Sequence, residues 1–334
     1  MRFLIQRLAF YVIAFWVALT INFLLPRVMP GSPADVILQQ LGPQLQNTPG
    51  LYHQIVAEYG GGHESALDLL REYPHYIWNM LSLHLGDSTR YKVPVWSIVR
   101  QTLPYSVFVA GSAVVLSFMI GTFLGMICGW RRGGALDSVL PATTLFVQAF
   151  PPFVVALLAI YFLALGQGPF HAHWFPSSLA YDNQISPSWS WTFVGSAIRH
   201  AELPIIVLTL TTLGGWLLGM RNTMISNIAE DYITTARAKG LPDRRVMFSY
   251  AGRNSIIPPV TAFATQLAAV VVGAIVIETV FSYPGVGLTM NNAALGHDYP
   301  LLQALLLVIS ACFLLANFVM DSVYVFLDPR SRVT

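Results

Sequence analysis

Six stretches of this chain are long and apolar enough to cross a lipid bilayer: about 8–29, 104–130, 137–166, 203–222, 256–281 and 301–327. A hydrocarbon core about 30 Å thick takes ~20 apolar residues per spanning helix. Within that core the backbone must satisfy its own hydrogen bonds, so each stretch is expected to be helical. The fourth is interrupted by Gly214-Gly215. Composition agrees, since 55% of the residues are hydrophobic and 10% are charged. A soluble domain carries about 25% charged residues, and so sparse a supply cannot cover a water-facing surface. The expected fold is an all-α integral membrane protein with six transmembrane helices. The two cysteines, Cys128 and Cys312, lie inside apolar runs and make neither a disulfide framework nor a metal site.

The first stretch has the early arginines of a signal peptide, Arg2 and Arg7, but it is of spanning length. Pro26, Pro30 and Pro33 follow it instead of a small-residue cleavage site, so it is expected to be a retained helix. The chain then divides into an N-terminal transmembrane helix (1–29), an extracytoplasmic loop region (30–103), a transmembrane core (104–327) with a loop at 226–256, and a short tail (328–334). With the N-terminus inside, the inner segments hold Arg2, Arg7, Arg131, Arg132, Arg221, Arg237, Lys239, Arg244, Arg245, Arg253, Arg330 and Arg332. The outer segments hold Arg27, Arg71, Arg90, Lys92, Arg100 and Arg199. Positive charge favours the cytoplasmic side, so both termini are expected there.

Two outer connections are long. In the first, Leu70, Tyr73, Ile77, Met80 and Leu81 recur at helical spacing within 67–85. Such a helix could cap the bundle, dock an external partner, or do both. The second, 167–202, carries Phe170, Trp174, Trp189 and Trp191, read as residues of the aromatic belt at the membrane surface.

The longest inner loop runs from Ser226 to Pro259. Asn227 with Glu230 three residues later has the form of a capping box. Glu230 and Asp231 at the start and Arg237 and Lys239 at the end complement a helix dipole, and Gly240 followed by Pro242 is a stop signal. A short helix of about ten residues is therefore expected at the membrane face. Its centre, Thr234, Thr235, Ala236 and Ala238, is small enough for another protein to approach closely. An ordinary interfacial helix or a basic anchor accounts for the same pattern.

The run Asp231-Tyr232-Ile233-Thr234-Thr235-Ala236-Arg237-Ala238-Lys239-Gly240-Leu241, followed by Arg244-Arg245-Val246, Arg253-Asn254 and Ile257-Pro258, resembles the EAA-type loop of ABC importer permeases. More narrowly it is similar to the dipeptide/oligopeptide permease family. Thr234-Thr235-Ala236 departs from the general Glu-Ala-Ala, as the peptide branch often does. The resemblance extends over most of the chain. It includes Pro30-Gly31-Ser32-Pro33-Ala34, Leu85-Gly86-Asp87-Ser88 with Pro94-Val95, Leu103-Pro104 opening the second helix, Arg131-Arg132-Gly133 with Asp137, Glu278-Thr279-Val280-Phe281, Pro284-Gly285-Val286-Gly287, Asp298-Tyr299-Pro300, and Leu327-Asp328-Pro329-Arg330.

This resemblance implies a type I importer permease in a bacterial inner membrane. The helix formed by Asp231, Tyr232, Thr234, Thr235, Ala236, Arg237, Ala238, Lys239, Gly240 and Leu241 would couple the bundle to an ATPase. Its partners would be a second homologous permease chain, two ATP-binding cassette subunits carrying ATP and Mg, and an extracytoplasmic solute-binding protein. No nucleic-acid partner and no cofactor or metal in the chain itself are expected. Di- or oligopeptides are the expected substrates, and nickel chelates and oligosaccharides are alternatives within the same machinery.

The chain cannot hydrolyse ATP through a P-loop. That motif needs Lys followed by Ser or Thr, and the two lysines, Lys92 and Lys239, precede Val93 and Gly240. Polar groups inside apolar segments are costly and tend to face a pore or a partner. Gln148, Gln266 and Glu278 are candidates for a translocation pathway or gate, with structural roles as the alternative for Glu278 and Asp321; Asn22 and Asn317 are also deep. Ala264, Ala268, Ala269 and Gly273 have the spacing of a close helix crossing. His171 and His173 alone make a weak metal signal, and Gly60-Gly61-Gly62 lacks the strand–helix setting of a phosphate loop. A stand-alone secondary carrier would leave the structured loop at 226–256 unexplained. An intramembrane enzyme would need a catalytic motif such as Gly-x-Ser-x-Gly, which the sequence lacks.

Overall fold

The computed structural model describes residues 2–28, 66–167, 173–263, 266 and 274–327. Its elements are helical: α1 (Arg2–Val28), α2 (Ala66–Leu81), α3 (Val95–Trp130), α4 (Ala135–Gln148), α5 (Pro152–Ala159, extended by a π-helical turn Ile160–Ala164), α6 (Trp191–Ile228) and α7 (Asp231–Ala238). After a π-helical stretch, Val246–Gly252, come α8 (257–263), α9 (Ile275–Val280), α10 (Val286–Leu295) and α11 (Tyr299–Leu327). Among the described residues, four helices are long and apolar enough to span a membrane, or five if the bent pair α4–α5 is one span. The expected span at 256–281 lies partly outside the described residues.

Three expected boundaries are corrected. The second helix does not open at Pro104 but at Val95, and α3 runs 36 residues, about 54 Å. Val95 and Val99, four residues apart, are both buried, and that anchorage outweighs the one backbone bond lost at Pro104. The fourth helix is longer than 203–222. Ser190 caps α6, accepting from the Phe193 N–H at 3.3 Å, and the helix continues through Pro204 to Ile228. The third stretch, 137–166, is not one straight helix. It bends by 98° between Gln148 and Pro152, because Pro151 and Pro152 lack N–H donors and disfavour helical geometry in the residue ahead.

The chain forms two compact units, 1–104 with 285–334, and 105–284. In the first, α1 pairs with α11. The Asn22 side-chain amide donates to the Gln303 carbonyl at 2.8 Å, and the Gln303 amide returns a bond to the Asn22 carbonyl at 3.3 Å. Asn22 thus has a structural role, and Asn317 bonds its own helix at Phe313. The α2 helix packs on α1: Tyr73 and Tyr76 sit on Phe23, Tyr73 bonds Thr20 at 2.6 Å, and Arg27 pairs with Glu72 at 2.6 Å. One face of α2 therefore caps α1, while Trp78 and Leu81 remain exposed. The Asp298 carboxylate, fully buried, accepts from the Ser88 hydroxyl and from the Thr89 and Arg90 N–H groups at 3.1 and 3.3 Å. It also receives the Leu301 N–H at 3.4 Å. Two sequence motifs some two hundred residues apart are joined by this one carboxylate.

In the second unit α6 is the core helix. Its apolar window is 61% buried, against 17% for that of α1. The α3–α6 crossing is made by Gly121, Gly125 and Gly129. A Cβ on Gly125 would stand 2.3 Å from the Leu217 carbonyl oxygen, and one on Gly121 or Gly129 would meet Trp216 or Met224 under 3.0 Å. The close crossing expected of Ala264, Ala268, Ala269 and Gly273 lies outside the described residues; here it belongs to glycines of α3.

Candidate functional site

The α7 helix is built as its charges dictate. Glu230 occupies the N-cap position and Asp231 the first turn, with Arg237 in the last turn and Lys239 at the C-cap. Gly240 adopts φ +74°, a conformation that favours glycine, and its N–H bonds the Arg237 carbonyl at 2.8 Å. The expected capping box is not made. Because α6 runs on to Ile228, Asn227 is a helical residue and cannot be a cap. Its amide donates instead to the Ser255 hydroxyl at 2.8 Å, and Thr223 donates to the Ser255 carbonyl at 3.0 Å. These bonds tie the end of α6 to the returning segment.

Ile233 and Ala236, three residues apart, are each 1% exposed. They insert among Met126 of α3, Met220 and Met224 of α6, and Val246 and Ala251 of the π-helical stretch. The outward face comprises Asp231, Thr234, Thr235 and Ala238, with Arg237, Lys239 and Gly240 also exposed. Tyr232 and Leu241 are half-buried. Ala236 is thus an inward anchor and not part of an approachable centre. The Arg237 guanidinium lies 5.0 Å from the centre of the Trp130 ring, at the end of α3.

The same end of the unit holds an ion pair. Both Asp137 carboxylate oxygens accept from Arg221, Oδ2 at 3.0 Å, and Oδ2 also accepts the Gly133 N–H at 2.9 Å. Asp137 is buried. The bidentate geometry fixes the start of α4 against α6.

Farther along α4 and α6 a groove of about 420 Å³ opens between α4, α6 and the residues Pro258, Pro259, Ala262 and Gln266. Gln148 and Gln266, two of the sequence candidates, both line it, together with Thr211, Thr212, Trp216 and Thr223. Glu278 is not there. It is 1% exposed in α9, between the buried Ile277 and Phe281. Beside it, burial pushes the Tyr283 phenol above its ordinary range, with Tyr105 and Glu278 adding to the shift, so Tyr283 is a neutral packing group. The α6 contribution to the groove went unread in the sequence, although Thr211, Gly215, Gly219 and Thr223 recur every four residues and mark one helix face.

Other expectations resolve simply. His173 packs on Gly166 and the Ala164 carbonyl; His171, Phe170 and Gly60-Gly61-Gly62 lie outside the described residues, as does the Asp321 side chain. Trp174, Trp189 and Trp191 are exposed. No group of three potential metal ligands occurs among the described residues.

The fold and these features define an all-helical, multi-pass membrane protein with a short surface helix anchored in its bundle. The family model described as the binding-protein-dependent transport system inner membrane component matches residues 121–333, and the chain belongs to that family. It is 30% identical to the di/tripeptide transport system permease protein DppB of Pseudomonas aeruginosa, over 99% of each chain. It is 27% identical to the dipeptide transport system permease protein DppB of Escherichia coli K12, again over 99% of each.

Proposed function

We propose that this chain is the translocation subunit of an ATP-driven importer of di- or oligopeptides in a bacterial inner membrane. The names of its full-length relatives support the peptide assignment. The observation that carries the reading is the mounting of α7. Ile233 and Ala236 lock it into the α3–α6 core, while Asp231, Thr234, Thr235 and Ala238 face outward. A helix held from beneath on both long helices suits a docking element that passes movement into the bundle.

In this reading α7 and both termini are cytoplasmic, in keeping with the lysine and arginine distribution. The outward face of α7 seats on one of two ATPase subunits, which carry ATP and Mg. A second, homologous permease chain completes the pathway, and an extracytoplasmic binding protein delivers the peptide. Movement of α7 reaches α3 through Arg237 on Trp130, and both α3 and α6 through the methionine socket. The glycine crossing makes α3 and α6 move together. The Asp137–Arg221 pair draws α4 along, and with it Gln148 in the groove.

The test is co-purification from mildly solubilised membranes. Ala236→Glu is an unsuitable probe, because its carboxylate would be buried among methionines and destabilise the helix mounting. Thr235→Arg and Ala238→Arg change the outward face alone. The intact chain is expected to bring down an ATPase, and both variants to lose it while still inserted and folded. Recovery of no ATPase with the intact chain, under conditions that hold complexes together, would refute the importer reading.

A further inference from the structure

The groove that α4 and α6 form with Pro258, Pro259, Ala262 and Gln266 has an unusual lining for a site that handles zwitterionic molecules. Gln148, Gln266, Thr211, Thr212, Trp216 and Thr223 line it, and the remaining lining residues are glycine, proline and alanine. None of them carries a charge. From Ser138 to Gln148, α4 is uncharged, and so is α6 from Pro204 to Met220. Two flanking charges are held elsewhere: Arg221 on Asp137, and Glu278 buried in α9 between Ile277 and Phe281. What remains is amide and hydroxyl chemistry. Each glutamine offers two N–H donors and a carbonyl acceptor, and each threonine a hydroxyl that donates or accepts. That set matches the N–H and C=O groups of a peptide backbone in either direction. A volume of about 420 Å³ falls within the ~300–1,000 Å³ of small-molecule sites.

We infer that this groove engages the peptide backbone by hydrogen bonds, with Gln148 and Gln266 as its specificity-determining pair, and is indifferent to the charge of the peptide side chains. The inference rests on the importer reading. It assigns charge selection to steps before the peptide reaches the groove.

The test uses the complex that co-purifies with this chain, reconstituted in liposomes, with leucyl-leucine, lysyl-leucine and aspartyl-leucine as probes. Maximal uptake rates at saturating peptide are compared, because selection by a delivering protein enters the half-saturation concentration. The wild-type complex is expected to carry all three with maximal rates within about fivefold of one another. A unit charge about 4 Å away in water-like surroundings is worth about fivefold. Gln148→Glu and Gln266→Glu keep the side-chain shape and place such a charge in the groove. At least one is expected to raise the lysyl-leucine to aspartyl-leucine ratio by more than fivefold, and that ratio is independent of how much variant is made. A wild-type spread greater than fivefold that follows charge overturns the inference, as does a smaller shift in both variants while leucyl-leucine uptake persists. Absence of uptake of all three peptides by the wild-type complex refutes the importer reading itself, and the inference with it.

Discussion

Replacing Gly125 by alanine adds one methyl group, and the structure says where it would go. The new Cβ would lie 2.3 Å from the Leu217 carbonyl oxygen and 3.0 Å from the Met220 Cβ. An ordinary carbon contact is ~3.5 Å or more, so α3 and α6 must separate by about 1 Å along the crossing. Carbonyl oxygens of a helix cannot swing aside as a side chain can. Overpacking of this kind costs about 1–3 kcal/mol, offset by the ~0.5–1 kcal/mol that alanine gains over glycine in a helix. The net expectation is a loss of about 0–2.5 kcal/mol. Gly111, on the same helix, has no atom within 4 Å of its would-be Cβ. Gly111→Ala is therefore expected to be neutral or more stable. The assay is thermal unfolding of the purified chain in mild detergent, read by tryptophan fluorescence. At roughly 2–4 °C per kcal/mol, Gly125→Ala should unfold several degrees below Gly111→Ala. Equal midpoints, or the reverse order, would refute the claim that the glycines of α3 are required by the approach of α6.

Three further outcomes follow from particular contacts. Asp137→Asn should destabilise by about 1–3 kcal/mol by leaving Arg221 without its carboxylate; in unfolding measurements the double variant with Arg221→Met should lose less than the sum of the singles. Asp298→Ala removes the acceptor for Ser88, Thr89 and Arg90, so trypsin should cleave after Arg90 or Lys92 faster than in the wild type, as followed by gel or mass spectrometry. The Tyr232 hydroxyl is buried without a hydrogen-bond partner among the described residues, so Tyr232→Phe should leave the unfolding midpoint unchanged or raise it; a fall would show that the hydroxyl is engaged.

Much of this protein follows from local chemistry and could be read directly. The apolar runs of α1 and α11 declare themselves because lipid demands about twenty such residues wherever the helix lies. Helix α7 declares its limits because acids, bases and Gly240 act within one turn of its ends. Long-range geometry was not legible in the same way. Nothing local tells whether Pro104 begins a helix or is carried within one; burial of Val95 and Val99 decides that. Asn227 and Glu230 have the spacing of a capping box, yet the extension of α6 takes Asn227 away to Ser255. Ala236 is small, and smallness serves a partner's approach and an inward anchor equally; the socket of Met126, Met220 and Met224 chose the second. Among the polar residues of apolar segments, the chain's path placed Gln148 and Gln266 in one groove and buried Glu278 apart from it. Sequence alone determined the solvent this chain is made for and where its helices are punctuated, since those depend on each residue and its near neighbours. The tertiary structure decided which faces meet, since that depends on residues a hundred or more positions apart arriving at the same place.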